Sequence, residues 1–155
     1  MNYASNSEMI DELQRECINQ VRFYVDLAAN KLGVHIPMPK IIFNNMGRTA
    51  GRAHIGRNLI EFNPVLLRTN GEEFLERAPG HEVAHLIAHV KFNRPSPHGC
   101  EWRLVMNRFG LPAIRCHNYD VPAITGGPQK KVVAVVRHED MTIKQVRGAK
   151  IIQFD

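Results

Sequence analysis

The segment His81-Glu82-Val83-Ala84-His85 is where this sequence offers chemistry. On a helix, side chains four residues apart share a face, so both imidazoles can reach one ion. Glu82 projects to one side of that pair, where it can take a proton from a water held by the ion. A catalytic zinc site needs a third protein ligand and leaves a fourth position for water. His89 is nearest in sequence. Eight helical residues at ~1.5 Å each put it about 12 Å from His81, too far for bonds of about 2 Å to one ion. His89 therefore reads as a group behind the site, at the core edge or on the surface. His98 is better placed, because Pro95-Ser96-Pro97 can turn the chain back along the outgoing helix. Glu101, in the first turn of the next helix, is the rival third ligand. The metzincin arrangement is absent, since Ala88 and Lys91 occupy its Gly and His positions.

The elements around this segment follow from periodicity and punctuation. Ser5 and Glu8 fit a capping box. Ile10, Leu13, Cys17, Val21, Tyr24, Ala28 and Leu32 then recur at helical steps, which predicts an amphipathic helix of about six turns ended by Gly33. Lys40 to Asn44 reads as a strand. Ala50 to Ile55 and Leu59 to Phe62 read as two more, joined by a Gly56-Arg57-Asn58 turn. Asn63-Pro64 ends the last of these and starts a short helix. Asn70, with Glu73, is expected to cap the next helix, which runs towards Val90 with a kink or restart at Pro79-Gly80. Gly99 to Phe109 reads as a further helix closed by Gly110 and Pro112. Leu111 to Gln129 is expected to be a wrapped loop. Val132 to Val136, Met141 to Val146 and Ala149 to Phe154 suggest a hairpin or three-stranded meander, with turns near His138-Glu139-Asp140 and Arg147-Gly148.

With 155 residues, 44% hydrophobic and 23% charged, the chain can bury a core as one ordinary domain with a small appendage. The longest apolar run, Val132 to Val136, is far short of the ~20 residues of a membrane span. Met1 to Glu12 lacks the order of a signal peptide, so a cytoplasmic protein is expected. Cys17, Cys100 and Cys116 form no Cys-x-x-Cys pair, which supports neither a disulfide framework nor a cysteine zinc ribbon. Charge is uneven. Residues 1–85 hold 9 Lys/Arg and 10 Asp/Glu, whereas residues 86–155 hold 11 and 5. A basic half attracts polyanions, and nucleic acid is a candidate partner beside the plainer reading of a solvated positive face.

The motif, followed by Pro97-His98-Gly99-x-Glu101-Trp102, resembles the SprT/Spartan-like zinc metalloproteases. Ile60-Glu61-Phe62-Asn63-Pro64-Val65-Leu66-Leu67 is similar to that family's strand running into a helix start. Gly110-Leu111-Pro112-Ala113 with Arg115-x-His117 is similar to the segment after its second core helix. The likeness covers about residues 10–120. It implies an α+β fold: a minigluzincin-like core over residues 1–120, with a small sheet packed on helices and one zinc ion held by His81, His85 and His98. It makes Glu82 the catalytic glutamate. Residues 121–155 resemble the family's zinc ribbon after loss of its metal, keeping a β-hairpin or meander.

The chemistry expected of such a site is peptide hydrolysis. Zinc lowers the pKa of its water from about 15.7 towards 7, Glu82 takes the proton and the nucleophile attacks a carbonyl. A donor is needed for the oxyanion, and His117 and Tyr119 are candidates. Glu101 either orients a histidine ligand or caps its helix. Trp102 reads as core. Arg94, Arg103, Arg108, Arg115, Lys130, Lys131, Arg137, Lys144, Arg147 and Lys150 are candidate contacts for DNA, bound largely without sequence preference.

The leading expectation is thus a zinc endopeptidase acting on DNA-associated or DNA-crosslinked proteins in the cytoplasm, at the nucleoid that its DNA contacts would favour. The rivals are a binding module that keeps fold and metal without useful hydrolysis, and a small α+β protein whose histidines bind nothing.

Overall fold

The fold is that of a computed structural model, which describes residues 6–120, 132–136 and 141–145. The expected α+β class is observed. Helix α1 spans Asn6–Leu32, strands β1, β2 and β3 span Lys40–Phe43, Gly51–His54 and Leu59–Phe62, and helices α2, α3 and α4 span Pro64–Asn70, Glu72–Phe92 and Cys100–Arg108. Strands β4 (Val132–Val136) and β5 (Met141–Gln145) follow. No helix among the described residues is long and apolar enough to cross a membrane.

The sheet order is β2-β3-β1-β4-β5, with β1 parallel to β3 and the other neighbours antiparallel. Strand β2 therefore forms one edge. Ile41 and Phe43 of β1 and Ile60 and Phe62 of β3 alternate onto one face and are fully buried in the core, and Ile42, Leu59 and Glu61 on the other face are buried too. Burying a side chain of this kind is worth roughly 1.5–3 kcal/mol. Helix α1 lies along α3, placing Cys17, Val21, Tyr24 and Ala28 in the same core at three- and four-residue steps. Lys130, Lys131, Arg137, Arg147, Lys150, the turn residues His138 to Asp140 and the expected strand Ala149 to Phe154 lie outside the described residues.

Local signals place the helix ends around the site. The Asn63 side chain accepts hydrogen bonds from the Val65 and Leu66 N–H groups, and Pro64 occupies the first turn, so α2 starts where the sequence predicts. The expected cap at Asn70 is corrected. Asn70 closes α2, and Gly71, with φ 46°, opens α3 without a side-chain cap. The Asn70 amide instead donates to the Leu66 and Asp120 carbonyls and accepts from the Asp120 N–H. It ties the segment after α4 to the end of α2.

Helix α3 also runs through Pro79 without ending. A Cβ on Gly80 would collide with the Leu111 side chain and lie 3.1 Å from the Tyr24 ring. The helix accepts the ~1 kcal/mol penalty of an interior glycine, and α1 and Leu111 press directly on its backbone.

Candidate metal centre

His81 and His85 stand one turn apart on α3, with ring centroids separated by 5.0 Å. His98 comes from the turn between α3 and α4. That turn is built from Asn93 and Arg94, both with positive φ, and closed by a hydrogen bond from the Gly99 N–H to the Ser96 carbonyl. His98 itself has φ 57°, a left-handed conformation that costs a non-glycine residue on the order of 1–3 kcal/mol. In it, His98 Nε2 lies 3.1 Å from His81 Nε2 and 3.1 Å from His85 Nε2. Each residue thus offers one donor atom, and the three donors lie within 4.8 Å of one another. Glu101, in the first turn of α4, is outside this cluster.

Trp102 backs all three rings. It is 1% exposed, its ring centroid lies 4.7–5.5 Å from each imidazole, and its indole N–H donates to the His81 carbonyl at 3.4 Å. Burial pushes the His81 ring down to about 3, reinforced by His85, His98, Arg77 and His117. Burial and His98 bring His85 down to about 4, and burial and Arg115 lower His98. The rings are therefore neutral at ordinary pH, with lone pairs available to a cation.

Glu82 is 6% exposed, and its side chain lies against Gly51 of β2. Burial raises its carboxyl to about 8, opposed by a hydrogen bond from the Ala53 N–H and by the Arg52 charge. The triad and Glu82 face a cavity of about 670 Å³ walled by β2, by α3 and by the segment after α4. Arg48, Arg52, Arg77 and Arg115 also line it, and Glu82 is the one carboxylate among the lining residues.

The remaining expected residues take distinct places. His117 and Tyr119 line the cavity. The His117 Nε2–H donates to the Arg48 carbonyl at 2.7 Å, and Nδ1 accepts from the Tyr119 N–H at 3.1 Å. A carbonyl only accepts and an amide N–H only donates, which assigns the tautomer. The Tyr119 hydroxyl donates to the Glu73 carbonyl at 3.3 Å. Arg94, Arg103, Arg108 and Arg115 are all exposed, and of these Arg115 borders the cavity. Reading the sequence missed Arg48, Arg52, Arg77, the packing of Trp102 on the histidines and the close approach of Gly51 to Glu82. A glycine inside a strand pattern signals close backbone approach, which was the one available clue.

The model of the SprT-like family matches residues 8–122. Protein SprT of Pseudomonas paraeruginosa is 53% identical over 87 residues, 55% of this chain and 53% of the relative. Protein SprT of Vibrio parahaemolyticus is 42% identical over 103 residues, 66% of this chain and 62% of the relative. Protein SprT of Yersinia pseudotuberculosis is 38% identical over 113 residues, 72% of this chain and 66% of the relative. The matches thus span about half to two thirds of these relatives. No solved structure matches.

Proposed function

This chain belongs to the SprT-like family, and from that premise we propose that it is a zinc-dependent endopeptidase acting on DNA-associated or DNA-crosslinked proteins. The observation that carries the reading is three neutral imidazoles converging beside one buried carboxyl. Bonds of about 2.05 Å to a tetrahedral ion set donor atoms about 3.3 Å apart. The two 3.1 Å separations are close to that value. His81, His85 and His98 would hold the ion, and an all-histidine set of three suits zinc with one corner open.

Bound zinc would supply Lewis acidity and make a water acidic enough to lose a proton near neutral pH. The charge of a bound cation would favour the ionised Glu82 carboxylate, which would take that proton and return it to the departing amine. Strand β2, at the sheet edge, offers backbone groups to an extended substrate. His117 and Tyr119 are the proposed donors to the developing oxyanion, and each would exchange a present bond to serve it. The exposed arginines, with the basic residues beyond position 120, would meet phosphates without reading bases. In this reading residues 1–120 are the protease core, residues 121–155 its tail, and the site of action is the cytoplasm, at the nucleoid.

The test uses protein purified without a histidine tag. About one equivalent of zinc, hydrolysis of an unstructured protein, and loss of that hydrolysis with zinc retained in Glu82→Gln are expected. A metal-free, equally stable protein removes the enzyme reading. Function unchanged in Glu82→Gln favours a binding module. For DNA, affinity for a random duplex should fall steeply with salt, and indifference to salt counts against that partner.

A further inference from the structure

Gly51 opens β2 directly opposite Glu82. A Cβ built there would lie 2.8 Å from Glu82 Cγ, 2.9 Å from Oε1 and 3.0 Å from Cδ. Real Cβ contacts essentially never come this close. The backbone does not demand glycine, because Gly51 is not among the positive-φ residues and sits in register opposite Phe62 in an ordinary antiparallel ladder. A strand glycine costs roughly 0.5–1 kcal/mol relative to alanine. The missing side chain is therefore matched to the carboxyl rather than to the chain path. Glu82 has little freedom to yield, since it is buried and accepts the Ala53 N–H two residues along the same strand.

We propose that Gly51 is a positioning residue: its bare backbone, together with the Ala53 N–H, forms a seat on the sheet edge that fixes the Glu82 carboxyl beside the histidine cluster. The inference rests on the reading of Glu82 as the general base. Small displacements of such a group are costly, and about 1 Å can lower a rate 100-fold. A methyl at position 51 pushes the carboxyl off its seat and breaks the Ala53 hydrogen bond, while none of the three imidazoles is among the atoms nearest that methyl.

The test compares wild type, Gly51→Ala, Glu82→Asp and the double variant as full-length, zinc-loaded protein. Gly51→Ala is expected to keep its zinc, to keep KM for an unstructured protein within about twofold, and to lose kcat at least tenfold. Glu82→Asp retracts the carboxyl by one methylene and makes room, so the fall in melting temperature caused by Gly51→Ala should largely vanish in that background. Wild-type kcat in Gly51→Ala, or an equal melting penalty in both backgrounds, overturns the proposal. If wild type hydrolyses nothing, the protease reading fails, while the melting comparison still decides whether Gly51 seats Glu82. If Gly51→Ala does not fold, rescue by Glu82→Asp supports the seat and failure of the double variant overturns it.

Discussion

The Trp102 indole stands at 84° to the His98 ring, with centroids 4.7 Å apart, and it touches the His81 and His85 rings as well. It is the chain's one tryptophan. Its emission therefore reports on the histidine cluster without a competing signal.

Adding zinc to stripped protein should change tryptophan emission and saturate at one equivalent. Trp102→Phe should lose the signal and bind zinc about 10–100-fold more weakly, the usual effect of removing groups that orient metal ligands. Titration followed by emission, with metal analysis in parallel, checks both outcomes. Unchanged affinity in Trp102→Phe would reduce the indole to core filling.

Removing the ligand on the turn separates metal binding from backbone strain. His98→Ala and His98→Gly should both lose zinc, and with it about 2.7 kcal/mol of stabilisation at free zinc 100 times Kd. Stripped of metal, the glycine variant should be the more stable by about 1 kcal/mol, because only glycine adopts φ 57° without steric cost. Thermal unfolding of the two stripped variants measures the difference.

Tyr119 supplies a pH dependence. Burial holds its phenol neutral and raises it from 10.0 to about 12, opposed by the Arg77 charge and reinforced by Glu73, Glu76 and Cys17. Between those values the folded state keeps a proton that the unfolded chain releases. Stability is full below pH 10 and falls as pH rises towards 12, by on the order of 3 kcal/mol for two units. Tyr119→Phe should remove this part of the alkaline loss, as seen by comparing denaturation curves of the two proteins across that range.

Asn70 anchors the segment that walls one side of the cavity. Asn70→Ala deletes two hydrogen bonds to Asp120, worth about 1 kcal/mol each. Amide exchange should quicken over residues 112–120 and stay slow in α3. Uniform acceleration through the protein would contradict this local role.

What could be read from the sequence was what depends on near neighbours. Asn63-Pro64 and Gly110 mark helix ends through their own backbone needs. His81, Glu82 and His85 declare themselves by spacing within one turn, and His98 followed from the Pro-flanked turn beside them. Asn70 misled because its side chain fits a cap equally well, and the choice was made by Gly71 and by a partner fifty residues away. Pro79-Gly80 looked like an interruption because Tyr24 and Leu111, which press on that spot, are remote in sequence. Gly51 and the cavity arginines share this character, since each acquires meaning only when β2 and α3 meet.

Two of the three clustered imidazoles ride on one continuous helix, while the third sits on a short turn held in a strained conformation. An ion gripped by all three would act as a removable stitch across residues 85–98. Cutting it would release that small hairpin of chain first, so a chelator should expose residues 93–99 to a probing protease well before the body of the molecule loosens.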